Sequence, residues 1–428
     1  MARKPRKKPS SPTTEASSQP RPTNTAVAPI PSSQPIFGEP APSPDPKAFV
    51  VKHLSDNPLY NALNKKLLQA IPPPREGASL VLKLADVLGE KPIQKIQTAG
   101  RIVFHSVGDT GPINGPENQS LVADKMVDDF KEEDDPADVP SFFFHLGDVV
   151  YSFGEAKYYY DQFYEPYRNY PAPIFAIAGN HDGMVYGGDQ SPSLEAFLNN
   201  FCTATFAKRP EAGSLHRTSM IQPGVYFTLD APFVRIIGLY SNVLEDPGVI
   251  SSQGDKNSPV DDQQIAFLKD QLSAAKEYKG ALLIAVHHPP YTGGSHHGGS
   301  PKMLLDIDRA CQDAGVWPHA VLSGHAHNYQ RFTRTVNNND LPYIVAGSGG
   351  HAVTSLRSKK SGGPLRVPMQ LAPHLIFENY DDSEFGYLRI VANKDTLRME
   401  YHSLGPGPDK SGIDTVTVDL KSHTMISN

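Results

Sequence analysis

Five short segments concentrate side chains able to bind metal ions: Gly108-Asp109-Thr110-Gly111, Gly147-Asp148-Val149-Val150-Tyr151, Gly179-Asn180-His181-Asp182, His287-His288-Pro289-Pro290-Tyr291 and Gly324-His325-Ala326-His327-Asn328-Tyr329. Their donors are carboxylate, amide and phenol oxygens and imidazole nitrogens. That set suits iron, zinc or manganese, and no cysteine takes part. Two ions held about 3.5–4 Å apart need one carboxylate that both share and terminal ligands for each. Asp148 suits the shared position because it stands alone with a glycine before it. Asp109, Tyr151 and His327 then complete one site, and Asn180, His287 and His325 the other. His325 and His327 are two residues apart, so in extended backbone both rings leave the same side and one reaches each ion. A phenolate such as Tyr151 favours a trivalent, strongly Lewis-acidic ion, so iron(III) beside a divalent zinc, manganese or iron is the expected pair.

These side chains need a frame that brings distant segments together. Each motif follows an apolar run that reads as a buried strand: Arg101–Val107, 141–146, 174–178, Ala281–Val286 and Ala320–Ser323. The ligands should therefore gather along one edge of a sheet. After residue 100 strands alternate with helices, the pattern of a layered α/β architecture. Residues 261–276 read as a helix, with Ile265, Leu268 and Leu272 on one face and Asp261 and Asp262 in its first turn. Residues 225–229 with 233–239, and 386–392 with 397–402, read as hairpins, which makes the sheets mixed. Upstream, Leu59, Leu63, Leu67, Leu68 and Ile71 recur at helical spacing before three prolines, and a second helix is expected over 79–88. The expected organisation is a disordered Pro/Ser-rich tail over 1–47, a helical extension over 48–99 and a catalytic domain over 100–422.

Composition excludes more than it selects. The 428 residues carry a formal net charge of −6 and are 39% hydrophobic, with no global basicity of the kind that binds nucleic acid. The basic start, Arg3-Lys4-Pro5-Arg6-Lys7-Lys8, is the exception; it could touch nucleic acid, anionic lipid or an acidic partner, and a solvated tail is the simpler reading. No apolar stretch reaches the about 18 residues that span a bilayer. No apolar segment of a secretory signal follows the basic start, which favours the cytoplasm over export and leaves the compartment open. Cys202 and Cys311 are the only cysteines and read as two buried free thiols rather than a disulfide or a metal site. Oligomeric state is not legible.

The ordered set of five motifs resembles the calcineurin-like metallophosphoesterases and, within them, the purple acid phosphatases, over roughly residues 100–405. The resemblance implies a four-layer αββα sandwich with two central mixed β-sheets. Related non-purple members carry a D-x-H first motif; here Gly111 stands two after Asp109, and Tyr151 replaces the missing ligand as in the purple enzymes. His296 and His297, which begin nine residues after His287, resemble the paired histidines with which plant-type members hold phosphate and assist the leaving group. The resemblance also makes His181 a phosphate contact and candidate proton donor. Two positions depart from the plant-type pattern: Asp182 stands where Glu is usual, and Gln330 replaces the Glu of a Tyr-Glu-Arg run. The all-β domain that precedes the catalytic unit of plant-type enzymes has no counterpart in residues 1–100.

Other histidines have plainer readings. His288 neighbours a ligand but faces the other way, His105 and His145 lie inside strands as core residues, and His216 and His351 fall in loops that could face the substrate, with a structural role the simpler reading. The expected function is a dinuclear metal-dependent, acid phosphatase-like hydrolase of small phosphomonoesters, with a metal-bound hydroxide attacking phosphorus in line and His181, His296 and His297 meeting the phosphoryl group. The alternatives are a phosphodiesterase on the same scaffold, acting on a cyclic nucleotide, nucleic acid or phospholipid headgroup, and a non-catalytic phosphate-binding scaffold.

Overall fold

The apolar runs that precede the motifs become strands, mostly parallel to their neighbours. In one sheet, seven strands follow the order Thr424–Ile426, Asp414–Asp419, Thr396–Ser403, Gly386–Asn393, Arg101–Val107, Phe143–His145, Ile174–Ala176. Its last three are parallel, with His105 opposite Phe143 and Phe143 opposite Ile174, so the loops after them leave from one edge. The other sheet has nine strands, in the order Val81–Lys83, Phe227–Ala231, Val234–Leu239, Ala281–Val286, Ala320–Ser323, Asn339–Ala346, Tyr329–Val336, Leu375–Asp381, Met369–Ala372. Here Val234–Leu239, Ala281–Val286 and Ala320–Ser323 are parallel neighbours. Both sheets are mixed, as expected.

The computed structural model describes residues 58–66, 68, 71–132, 135–186, 192–294, 297–357, 362–404 and 414–426. The tail over 1–47 and His296 lie outside the described residues.

The two sheets meet through aromatic and aliphatic side chains, as where Phe144 of one lies 6.2 Å, ring to ring, from Phe227 of the other. Helices Gln263–Ala274 and Pro301–Ala314 pack on each other beside the nine-stranded sheet, while Glu90–Ala99 and Glu117–Glu132 contact the seven-stranded one. The result is an α/β fold with two mixed sheets between helical layers. Local sequence explains the helix limits. Pro301–Ala314 begins at Ser300, whose hydroxyl accepts from Met303 N at 3.3 Å, has proline at its first position, and stops at Gly315 in the left-handed region. Among the described residues no helix is long and apolar enough to cross a membrane. Cys202 and Cys311 are buried free thiols.

Two expectations about secondary structure need correction. The segment 79–88 is not one helix: Val81–Lys83 is a strand paired in parallel with Phe227–Ala231, and only Leu84–Leu88 is helical. In so short an apolar run, Leu80, Leu82 and Leu84 satisfy the alternation of a strand as well as a helical face, and sheet pairing decides. The helix expected over 261–276 runs Gln263–Ala274. Asp262 precedes it and holds the 252 loop instead, accepting from Ser252 N and Oγ at 2.9 Å each.

Candidate metal centre

Six of the seven expected ligands lie on loops that leave the edges of the two sheets, and Asn180 opens the short helix Asn180–Gly183. Three of them, Asp109, Asp148 and His325, have positive φ (57°, 55° and 68°), a region costly to residues other than glycine and often kept at functional sites. Cross-links between loops hold them there. Asp109 Oδ2 accepts from His325 N at 2.8 Å, and Asp148 Oδ1 accepts from His181 N at 2.9 Å. Asp182 ties two motifs together, its carboxylate accepting from Gly179 N at 2.8 Å and from Val149 N at 3.0 Å. Glycines make the approach possible. At Gly147 (φ 95°) a Cβ would fall 2.7 Å from Gly179 N and His287 Nδ1, and at Gly179 it would collide with the Asp148 carboxylate.

The donor atoms form two groups that share one carboxylate oxygen. Tyr151 Oη lies 3.1 Å from Asp109 Oδ1, 2.9 Å from Asp148 Oδ2 and 3.3 Å from His327 Nε2. On the other side, Asn180 Oδ1 is 3.1 Å from both His287 Nε2 and His325 Nδ1, and His287 Nε2 is 3.2 Å from the same Asp148 Oδ2. Asp148, His287 and His325 each offer a donor atom, all within 4.8 Å of one another. Every one of the seven side chains is buried. The structure thus brings all seven side chains together, with Asp109, Tyr151 and His327 on one side of Asp148 and Asn180, His287 and His325 on the other. One premise was different: His325 is left-handed, not extended.

The electrostatics of this cluster call for positive charge. Burial pushes the Asp109 carboxyl up, to about 8, and the charge on Asp148 adds to the effect while His287 opposes it. Burial also works against Asp148, but His287 and His181 more than offset it and hold that carboxyl low. For His287 burial lowers the pKa, yet Asp148 and Asp109 drive it up to about 9. His325 and His327 are held well below the usual histidine range by burial and by neighbouring imidazoles, so each keeps a lone pair to offer. Tyr151 is pushed well above its usual value by burial and then by the two carboxylates. Cations would offset the two carboxylates while satisfying every donor, so the residues fit a pair of metal ions.

His181 and His297 border this cluster. His181 hydrogen-bonds Ser152 O through Nδ1 at 3.0 Å, which leaves Nε2 3.9 Å from Asp148 Oδ2. The His297 ring lies 4.5 Å from that of His325 and 4.9 Å from that of His327. A cleft of about 130 Å³, lined by His297, His327, Asn328, Thr354 and Arg357 among others, opens beside them. Gln330 supports this wall, accepting from Gly293 N at 2.7 Å and donating to Asn328 Oδ1 at 2.8 Å.

The remaining histidines divide. His288 packs against His325, ring centroids 4.1 Å apart, while its nitrogens turn to the neighbouring loop, with Nδ1 2.7 Å from Ser241 Oγ and Nε2 2.6 Å from Leu244 O. His145 accepts from Gly147 N at 3.1 Å and contacts Thr110 Oγ1 at 2.9 Å; burial lowers it to about 3. His216 is exposed and lines a surface cleft instead. His351 lies beside the donors: its ring stacks on Tyr151 with centroids 3.6 Å apart, and its Nδ1 is 2.8 Å from Gly111 O. Sequence reasoning also missed Glu245 and Asp246, which reach the cluster from the loop after Val234–Leu239. Asn180 Nδ2 donates to Glu245 Oε2 at 3.2 Å, and Asp246 Oδ1 lies 3.7 Å from His325 Nε2. An acidic pair before a proline reads locally as a turn, so no signal in the chain marked them.

With strand-end loops and this donor set, the chain belongs to the calcineurin-like phosphoesterase family, whose model matches residues 104–329. The family is one of metal-dependent phosphoesterases. A protein of Arabidopsis thaliana described as "Probable inactive purple acid phosphatase 9" is 24% identical over 290 residues, which cover 62% of this chain and 41% of that protein. The chain thus spans less than half the length of that relative. Among solved structures, the Plasmodium protein "GAP50 the anchor in the inner membrane complex" superposes with a TM-score of 0.52 at 16% identity, over 76% of this chain and 91% of that one. A dimetal phosphatase from Danio rerio gives a TM-score of 0.44 at 10% identity, over 75% and 99%.

Proposed function

We propose that the chain is a dinuclear metal-dependent phosphatase that hydrolyses small phosphomonoesters. The observation that carries this reading is the position of Asp148 Oδ2, 2.9 Å from Tyr151 Oη and 3.2 Å from His287 Nε2, so that one carboxylate serves both donor groups. Asp109, Tyr151 and His327 would hold iron(III), and Asn180, His287 and His325 a divalent zinc, manganese or iron. Such ions would supply Lewis acidity for the phosphoryl oxygens and would lower the pKa of a water for in-line hydrolysis.

The chain's own residues do the rest. His181, anchored through Nδ1 on Ser152 O, points Nε2 at the cluster and is the candidate donor of a proton to the departing alkoxide. His297 and Arg357, both lining the cleft, would meet the phosphoryl oxygens and balance their charge. The small volume of that cleft favours a compact ester. The match to a relative called inactive raises the alternative of a phosphate-binding scaffold; a full set of seven donors in contact argues for turnover. Metal analysis of the purified chain, with turnover of p-nitrophenyl phosphate and bis-p-nitrophenyl phosphate side by side, tests the reading. Two ions per chain and faster monoester hydrolysis are expected. Preference for the diester would move the assignment to a phosphodiesterase, and bound metal without turnover would leave the scaffold.

A further inference from the structure

The segment 242–248 belongs to none of the motifs, yet it is pinned against the metal centre. Leu244 O accepts from His288 Nε2 at 2.6 Å, Ser241 Oγ bonds His288 Nδ1 at 2.7 Å, and Gly248 O accepts from Ser300 Oγ at 2.8 Å. His288, whose ring lies 4.1 Å from that of His325, therefore fixes the residue just before Glu245. From that anchor two consecutive carboxylates reach two members of the same donor group. Glu245, with a mostly buried side chain, accepts from Asn180 Nδ2 at 3.2 Å. Asp246 Oδ1 lies 3.7 Å from His325 Nε2, and that nitrogen is buried and makes no hydrogen bond.

The geometry points to Glu245 and Asp246 as paired positioning residues for the second metal, Glu245 selecting the atom that Asn180 presents and Asp246 the tautomer that His325 adopts. The inference rests on the dinuclear reading and deepens it. An asparagine ligates through its oxygen, and a half-turn about its last bond would offer NH₂ to the cation. Glu245 can accept only from the nitrogen, so that half-turn would set oxygen against oxygen, and Asn180 Oδ1 stays directed at His287 and His325. A histidine that ligates through Nδ1 must carry its proton on Nε2, and a carboxylate facing Nε2 stabilises that form and makes Nδ1 a better donor. At 3.7 Å the Asp246 contact is longer than a hydrogen bond, and a small shift of either side chain would close it.

The test measures metal retention in the full chain. Wild type, E245A, E245Q, D246A and D246N are loaded with iron and zinc, then competed against a graded chelator, with each ion counted by mass spectrometry. E245A and D246A should each weaken one ion about 10- to 100-fold and leave the other in place. E245Q, whose amide oxygen still accepts from Asn180, should recover most of the loss. D246N keeps an acceptor without the charge and should fall between wild type and D246A. Should the alanine variants prove unfolded when melted without metal, D246N decides the case, and wild-type retention in it overturns the proposal. Equal retention of both ions in the folded alanine variants, or equal loss of both, also overturns it. A wild-type chain that takes up fewer than two ions overturns the dinuclear reading itself, and this pair with it.

Discussion

His105 lies on the strand Arg101–Val107 and Asp109 two residues beyond its end, and each anchors a wholly buried polar cluster. Around His105 the partners balance. Its Nε2 faces Asp129 Oδ2 at 2.9 Å, its Nδ1 faces Tyr170 Oη at 3.0 Å, and Tyr387 donates to the same Asp129 oxygen at 2.9 Å. Burial opposes the charge on Asp129, but the hydrogen bonds from His105 and Tyr387 hold its carboxyl down at about 2, and burial keeps His105 below its usual value. A neutral imidazole donating to an ionised carboxylate satisfies both. Around Asp109 the carboxyl is instead pushed up, to about 8, and an adjacent imidazole up to about 9. Similar residue types thus make a closed network within the strand and, just past its end, a cluster whose donors converge without neutralising one another. Such convergence marks a ligand site rather than a core.

The largest effects should separate the two clusters. Asp148→Ala removes the oxygen that both donor groups share, so metal content should collapse and the rate on p-nitrophenyl phosphate should fall at least about 1000-fold, ~4 kcal/mol in barrier. Asp129→Ala should do the reverse, costing about 3 kcal/mol of folding stability in urea titrations while the folded fraction keeps its metal. Loss of metal in Asp129→Ala, or two ions still bound in Asp148→Ala, would break the comparison.

Acid sharpens it. The Asp129 carboxyl lies at about 2 folded against 3.8 unfolded, so its contribution of roughly 2 kcal/mol is complete above about pH 4 and disappears as pH falls towards 2. The His105 shift has the same sign: a folded value below the ordinary 6.5 favours folding above that pH and penalises it below. Metal-free Asp129→Asn should therefore show a flatter acid limb than metal-free wild type between about pH 4 and 2. A slope in Asp129→Asn equal to that of wild type would assign the acid lability elsewhere.

The site was more legible in the sequence than the frame was. Asp109, Asp148, Asn180, His287 and His325 each follow an apolar run, and a strand that stops at a glycine or at the ligand itself is a local signal. His351 and the pair Glu245-Asp246 carry no such signal, because their contacts to Tyr151, Asn180 and His325 join segments that only the finished fold brings together. Likewise Val81–Lys83 is a strand because an edge of the nine-stranded sheet receives it, and the strands Asn339–Ala346, Leu375–Asp381 and Asp414–Asp419 went unassigned. Asp182 and Gln330, noticed as departures, prove to brace loops.

The smallest effects concern the two rings that meet at the donor cluster. Tyr151→Phe keeps the ring that stacks on His351 and removes the oxygen between Asp109 and Asp148, so packing should survive. If that oxygen binds iron(III), the wild-type protein should show a broad visible charge-transfer band. The variant should lose the band and slow about tenfold, ~1.4 kcal/mol. His351→Ala removes the stacked ring and leaves the oxygen, so the band should persist and the rate should stay within about threefold, ~0.6 kcal/mol. A band that survives Tyr151→Phe would mean that another group colours the centre, and an iron-loaded wild type without colour would remove the ferric assignment while leaving the hydrolase. A band abolished in His351→Ala would show that the stacked imidazole holds the phenol in place, and would move His351 from the wall of the site into its working parts.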